Sequence, residues 1–214
     1  MKLISVNIGR PRAVSYRDGS VTTGIYKEPV AGRVWLRRLN LDGDGQADLR
    51  VHGGEDKAAY AYPHEHYIFW ARELGRNDFS FGQFGENLTV EGLLEDAVFI
   101  GDIFRVGEAL VQVSQPRAPC FKLGIRMGDA SFPARFTAAN RTGFYLRVLE
   151  EGRVAAGDTI MLAERAKDSV SVSGAFRLWH GTGGARAEYE RAAQISAFSP
   201  SWQAAFEKRL REWP

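Results

Sequence analysis

Short runs of alternating apolar and polar residues, separated by glycine turns, fill the chain up to about residue 163 and restrict this part to paired β-strands. The runs with this pattern are residues 3–8, 30–36, 98–106, 109–114, 144–149 and 158–162. Their spacing is typical of successive hairpins in an antiparallel sheet or barrel. One helix interrupts the strands at residues 63–74, where an apolar face precedes Gly75.

In the last quarter of the chain, the spacing of apolar residues changes from that of strands to that of helices. Asp168 or Ser169 can cap a first helix, residues 185–193 predict a second, and Ser199 followed by Pro200 begins a third. The third helix aligns four apolar side chains on one face: Trp202, Phe206, Leu210 and Trp213. Such aromatic stripes predict three helices that share a core.

The 214 residues carry a formal net charge of +2, and 44% of them are hydrophobic, as in an ordinary globular protein. This balance gives no electrostatic argument for a nucleic-acid polymer or a membrane surface as a partner. No run is long and apolar enough to span a bilayer, and residues 1–9 are too short and strand-like for a signal peptide. With one cysteine and no export signal, we expect a protein of the reducing cytoplasm.

That one cysteine, Cys120, lies in the run Gln-Pro-Arg-Ala-Pro-Cys-Phe-Lys, which begins at residue 115. Two prolines stiffen the segment, and positive charge from Arg117 and Lys122 favours the thiolate, the form that attacks electrophiles and binds metals. A free cysteine is also often a small buried hydrophobe. The residues by themselves leave three alternatives open: a structural side chain, a nucleophile paired with His52, or a metal ligand.

A second notable segment, residues 42–57, has acidic residues at alternate positions followed by His-Gly-Gly. A calcium loop is excluded, because Ala47 replaces the turn glycine and Gly53 replaces the bidentate glutamate. Gly53 and Gly54 can form an anion-binding nest, although a plain glycine turn with solvated charges explains them equally well. The cations that would strengthen an anion site here are Lys27, Arg50 and Lys57.

Two further candidates are less specific. His52, His64, His66 and Cys120 match none of the short zinc spacings, so a zinc site is not predicted. Asn87 lies in a third glycine-rich segment, residues 82–89, where its amide can bind the edge of a heterocycle or stabilise its own turn.

Several of these runs occur together in an order that resembles the MOSC domain, named for the C-terminal domain of molybdenum cofactor sulfurase. They are Gly-Asp-Gly-Gln-Ala-Asp, His-Gly-Gly-x-Asp-Lys-Ala, Gly-x-Phe-Gly-Glu-Asn-Leu-Thr, Ile-Gly-Asp and Gln-Pro-Arg-x-Pro-Cys. The resemblance covers residues 20–162, and the helical tail is similar to the three-helix extension of the YiiM-type branch. It implies a mainly β fold with α-helices: a barrel-like domain in residues 1–165, followed by a three-helix domain in residues 166–214.

The resemblance also implies a pyranopterin molybdenum cofactor with Cys120 as a molybdenum ligand, a role that suits a soft thiolate. It implies two-electron reduction of N-hydroxylated compounds, including purine bases, to amines. A separate flavoprotein reductase is the expected electron donor, since no flavin or nicotinamide motif is visible. His52 is our candidate for a proton donor or substrate contact. The candidate cofactor-binding residues are Lys27, Arg50, Gly53, Gly54, Lys57, Asn87, Arg117 and Lys122.

Two other functions stay open at this point. One is a carrier that holds the cofactor, or a sulfur species on Cys120, without turning over a substrate. The other is a metal-free thiol hydrolase that uses Cys120 and His52. The helical tail can serve as a homodimer contact, as a lid over the substrate, or only to stabilise the β-domain.

Overall fold

The computed structural model describes residues 1–213, apart from the side chains of Arg50 and Val51. In this part of the chain the strands are β1 (Lys2–Ile8), β2 (Arg12–Tyr16), β3 (Gly19–Thr23), β4 (Glu28–Pro29), β5 (Val34–Leu36), β6 (Ala59–Pro63), β7 (Leu88–Glu91), β8 (Ile103–Val106), β9 (Ala109–Pro116), β10 (Phe144–Glu150), β11 (Gly152–Val154) and β12 (Ile160–Glu164). The helices are α1 (Leu49–His52), α2 (Glu65–Leu74), α3 (Phe121–Met127), α4 (Phe132–Ala138), α5 (Val172–His180), α6 (Arg186–Gln194) and α7 (Pro200–Arg211), with a 3-10 turn at Glu55–Lys57. None of the described helices is long and apolar enough to cross a membrane.

Eight strands form one sheet in the order β12-β8-β9-β10-β6-β7-β1-β4, and β11–β5 and β2–β3 form two separate pairs. Strands β6 and β7 pair in parallel, and α2 provides the crossover that a parallel pair requires. The Leu3 amide donates to the Asp158 carbonyl at 2.9 Å, and the Ile160 amide donates to the Met1 carbonyl at 3.0 Å. These bonds bring β1 against the start of β12, so the sheet is strongly curved.

The core has two parts. The larger cluster covers one face of the curved sheet and continues into α5, α6 and α7 through side chains such as Phe176, Trp202 and Phe206. The smaller cluster is largely aromatic and lies under α2, α3 and α4, with Tyr62 and Trp70 at its centre. The mainly β architecture with a helical tail packed on it confirms the predicted fold class.

Most elements agree with the sequence pattern. Helix α2 ends at Gly75, whose left-handed conformation (φ 61°) suits glycine. The predicted cap of the first tail helix is wrong, because Ser171 takes that position and its Oγ accepts from the Gly174 amide at 3.1 Å. In the run 30–36, only Val34–Leu36 forms a strand.

The prediction of one helix before the tail is also wrong, since α1, α3 and α4 lie there too. Helices α3 and α4 have seven residues each, which is too short for a clear apolar periodicity. Gly124 also interrupts the helical pattern of α3. A Cβ atom at this position would lie 2.9 Å from the Asp129 carbonyl oxygen, so a close backbone approach explains the glycine.

Candidate functional site

An open cleft lies beside the beginning of α3, between this helix and the segments that precede α1 and β6. Most of the predicted site residues line it, although they come from four separate segments of the chain. They are Lys27, His52, Lys57, Asn87, Arg117, Cys120 and Lys122. The cleft therefore collects one thiol, one imidazole and four cationic side chains.

Cys120 presents its thiol at the end of the proline-rich segment, where β9 gives way to α3. Its backbone is extended (φ −125°, ψ 171°), and its carbonyl accepts from the Leu123 amide at 3.0 Å, which starts the helix. The side chain is half-buried and lines the cleft. Among the residues that the structure describes, no three His, Cys, Asp or Glu side chains converge on a common point. For a metal in this cleft, the chain therefore offers one thiolate rather than a complete ligand set.

Arg117 is the buried cation of the cleft, with 6% of its surface exposed. Its guanidinium lies over the rings of Tyr60 and Phe136, at 5.3 and 5.5 Å from their centroids. No carboxylate of a described residue pairs with it, and its Nη1 is buried without a hydrogen-bond partner. A buried donor without an acceptor is costly, so this atom is suited to an anionic ligand that enters the cleft.

Lys27 differs from Arg117, because a carboxylate compensates its charge. Its Nζ lies 2.5 and 2.6 Å from the two carboxylate oxygens of Asp44, and both side chains are buried. Burial lowers the pKa of Lys27, and Asp44 opposes this effect. Since the charges of the pair cancel, Lys27 attracts an anion less than a lysine without a carboxylate partner would.

Asn87 also supports Asp44 instead of presenting a free amide. Its Nδ2 donates to Asp44 Oδ2 at 2.9 Å and to the Asn7 carbonyl at 3.3 Å, and its Oδ1 accepts from the Tyr60 amide at 3.1 Å. Both ends of the amide are therefore engaged by the protein. We assign Asn87 to positioning the Lys27–Asp44 pair and β6.

The two glycines after His52 do not line the cleft. Gly54 has a positive φ of 93° and leads into the 3-10 turn, where the Lys57 amide donates to its carbonyl at 3.0 Å. A Cβ atom on Gly53 would lie 2.8 Å from Leu49 Cδ2. Both glycines therefore shape the backbone that presents His52 and Lys57. The side chain of Arg50, also predicted as a site residue, lies outside the described part of the chain.

His52 is partly buried among the cations of the cleft. Burial lowers its pKa, and repulsion from Lys122, Arg117 and Lys57 lowers it further, while Asp48 acts in the opposite direction. At neutral pH the imidazole is therefore neutral, with one N–H donor and one acceptor nitrogen. It can hold a hydrogen bond or pass on a proton, and an anion bound in the cleft would favour its protonated form.

We expect His52 to titrate below the ordinary histidine pKa of about 6.5 in the ligand-free protein. Because the folded state then binds its proton less readily than the unfolded chain, the His52 contribution favours folding above this pH and is lost as the pH falls. An NMR titration of the imidazole measures the value directly. Replacing Lys122 with glutamine removes a repelling charge and should raise the pKa of His52. An unchanged His52 titration in this variant would contradict the assigned cause.

A buried network holds the wall that carries Arg117. Glu95 Oε1 accepts from the Gly143 amide at 2.7 Å, and Glu95 Oε2 lies 2.6 Å from His66 Nε2. The Gly143 carbonyl accepts from the Arg117 amide at 3.1 Å. Next to it, the Tyr60 hydroxyl donates to the Thr142 carbonyl at 2.7 Å. Glu95, which was not a sequence candidate, and His66, which was considered only for a zinc site, thus fix the loop against which Arg117 and Tyr60 are placed.

Comparison with known proteins identifies the family of this chain. The MOSC domain family model matches residues 48–161, and the model of the YiiM-like three-α-helix domain matches residues 170–212. YflK of Bacillus subtilis is 46% identical over 207 residues, which make up 97% of this chain and 93% of YflK. This chain belongs to the MOSC domain family. Protein YiiM of Escherichia coli is 37% identical over 206 residues, or 95% of this chain and 91% of YiiM.

The fold agrees with the family as well. The crystal structure of YiiM from Geobacillus stearothermophilus superimposes with a TM-score of 0.83 at 39% identity and covers 98% of each chain. A protein of Gibberella moniliformis that is named a reductase is 35% identical over 173 residues, which are 79% of this chain but only 30% of that protein. The match to the MOSC model begins after Lys27 and Asp44, although both belong to the cleft region.

Sequence reasoning missed three residues of this site: Asp44, Tyr60 and Tyr145. Asp44 lies in the acidic run that fails the calcium-loop pattern, and its burial between two glycines has no direct sequence signal. Tyr60 and Tyr145, whose ring centroids are 5.5 Å apart, form an aromatic wall of the cleft. Tyr145 lies in the predicted strand 144–149, whereas no strand is predicted at Tyr60, and no local pattern shows which cavity the two rings line.

Proposed function

We propose that this protein is a molybdenum-cofactor-dependent reductase of N-hydroxylated compounds, in particular N-hydroxylated purine bases, and that Cys120 ligates the metal. One observation carries the proposal: the only cysteine thiol of the sequence lies in the same cleft as a buried arginine donor that has no acceptor among the described residues. A ligand that carries an anionic group and a metal with affinity for sulfur would complete this site. Membership of the MOSC family and the likeness to a protein named a reductase support the same choice.

The cleft residues fit such a cofactor. Arg117 would bind an anionic group through its unpaired Nη1, and Lys57 and Lys122 add positive charge at the rim. A thiolate at Cys120 suits a metal that already has sulfur ligands. When bound, the cofactor supplies the two-electron redox chemistry that no side chain of this chain can provide.

The protein's own groups bind, orient and protonate. The reaction R–NHOH + 2 e⁻ + 2 H⁺ → R–NH2 + H2O breaks one N–O bond and consumes two protons. His52, with a neutral imidazole beside the thiol, is the group in the cleft that can hold and deliver a proton near neutral pH. Tyr60 and Tyr145 shield one side of the cleft from water. In this proposal the protein works in the cytoplasm, where reducing conditions keep Cys120 as a thiol.

The proposal is tested on protein purified from cells supplied with molybdate. We expect about one molybdenum atom per chain, and formation of adenine from N6-hydroxyadenine with dithionite-reduced methyl viologen as the electron source. Molybdenum binding without adenine formation would instead indicate a carrier. Protein that binds no molybdenum, but hydrolyses an activated ester through Cys120, would indicate a thiol hydrolase.

A further inference from the structure

A small hairpin stands beside the cleft and is not part of the large sheet. Strands β2 and β3 pair only with each other, from Arg12 opposite Thr23 to Tyr16 opposite Gly19. The ring of Tyr16 packs on that of Phe121 with centroids 5.0 Å apart. Phe121 is the first residue of α3 and directly follows Cys120. The hairpin therefore lies along α3, next to the proposed metal ligand.

The surface formed by this hairpin and α3 carries positive charge that the protein does not compensate. Arg12 and Arg126 both lie over the ring of Tyr26, at 4.0 and 4.9 Å from its centroid. Arg17 lies over Tyr16, and Lys122 is one turn before Arg126 on α3. Within the described residues, none of these four cations forms an ion pair. Burial lowers the pKa of Arg126, and the nearby charge of Arg12 contributes to this shift.

Few acidic groups lie close to these cations in the chain. Asp18 is at the tip of the hairpin, and Asp129 follows α3, where it lies 3.9 Å from Arg135. The cations also border an apolar side chain, because Phe121 is 47% exposed despite its size. An exposed aromatic ring with cations around it is typical of a protein-binding surface.

We propose that this hairpin–helix surface, defined by Arg12, Arg17, Phe121, Lys122 and Arg126, binds the acidic face of the flavoprotein that supplies electrons. The inference rests on the proposed function. A reduced flavin (hydroquinone) supplies two electrons and two protons on oxidation to the quinone, which matches the demand of N–O cleavage. Electron transfer slows steeply with distance, so the donor must dock close to Cys120. Charge attraction over a small area gives the fast, weak association typical of electron-transfer partners.

The test compares two electron sources. In the doubly substituted Arg12→Glu, Arg17→Glu protein, we expect turnover of N6-hydroxyadenine with reduced flavodoxin, an acidic flavoprotein, to fall at least about tenfold at low ionic strength. Turnover with dithionite-reduced methyl viologen should stay within about twofold of wild type, since neither arginine lines the cleft. Added salt should slow the flavodoxin-driven reaction of the wild type and have little effect on the variant.

The matched control, Lys167→Glu with Arg191→Glu, makes the same change of net charge on exposed residues of the tail and should behave as wild type. The milder pair Arg12→Gln, Arg17→Gln removes the two charges without reversing them, which guards against disturbance of the hairpin by glutamate. It should give an intermediate loss of flavodoxin-driven turnover. Equal flavodoxin-driven rates in the surface variant and the control would overturn the docking proposal and leave the reductase proposal intact. Absence of adenine with the chemical reductant in wild type would overturn both.

Discussion

Replacing Cys120 with serine is expected to remove the bound molybdenum and to lower reductase activity at least about 100-fold. Loss of a residue that only orients a metal ligand already costs 10–100-fold as a rule, so loss of the ligand itself should cost no less. A serine hydroxyl is a poor ligand for a metal that prefers soft sulfur donors. Molybdenum analysis and the viologen-driven assay measure the two effects on the same preparation.

The fold should tolerate this substitution. Cys120 is half-buried at the rim of the cleft, so the free energy of unfolding should change by less than about 0.5 kcal/mol. Thr182→Ala, on the exposed turn after α5, controls for expression and cofactor loading. Full molybdenum content in Cys120→Ser would refute the ligand assignment. The denaturation curve shows whether Cys120→Ser loses molybdenum only because it unfolds. If it does unfold, Cys120→Ala provides a second test at the same position.

Replacing Asp44 with asparagine is expected to destabilise the protein by about 3–5 kcal/mol, the usual cost of removing one partner of a buried ion pair. The buried Lys27 ammonium would lose its countercharge. Asparagine offers one acceptor oxygen where aspartate offers two. The Gly9 amide, which donates to Asp44 Oδ1 at 2.8 Å, and the Asn87 side chain, which donates to Oδ2, would compete for it. Urea unfolding at pH 7 measures the change, and the melting temperature should fall by roughly 10 °C.

The double substitution Lys27→Met, Asp44→Asn separates loss of charge balance from loss of packing. It should recover a large part of the lost stability, because both charges are then absent and an apolar chain fills the site of Lys27. Asp42→Asn is the matched control, since Asp42 pairs with Arg37 on the exposed surface, where an ion pair contributes little, and its unfolding curve should stay close to that of wild type. Equal decreases in the free energy of unfolding for Asp42→Asn and Asp44→Asn would contradict a special role for the buried Lys27–Asp44 pair.

Much of the architecture was predictable because its signals are local. Alternation marked β1, β9 and β10, and Ser199 followed by Pro200 marked the beginning of α7. Helices α3 and α4 were not predicted, because seven residues contain only about two turns and tertiary packing on the aromatic cluster stabilises them. The first half of the run 30–36 also had a strand pattern, but it makes one backbone bond to β1, from the Val30 amide to the Val6 carbonyl at 2.9 Å, and does not continue as a strand.

The candidate site was predicted in composition but not in the role of each member. From the sequence alone, Lys27, Lys57, Arg117 and Lys122 are equivalent cations. In the structure, Lys27 is neutralised by Asp44, whereas Arg117 has a buried donor without an acceptor. Asn87 was a candidate for binding a heterocycle and instead supports Asp44, which lies 43 residues away in the chain.

Residue types and local spacing determined, by themselves, that this chain is a β-rich domain followed by helices and that Cys120 is its one thiol between two cations. Only the tertiary structure decided which of the cations are compensated, which side chains share a cleft with Cys120, and that a basic hairpin stands next to it. The physical reason is the range of the interactions. Strand alternation and helix caps depend on neighbours in the chain, but charge pairing and burial depend on segments that meet only when the sheet curves.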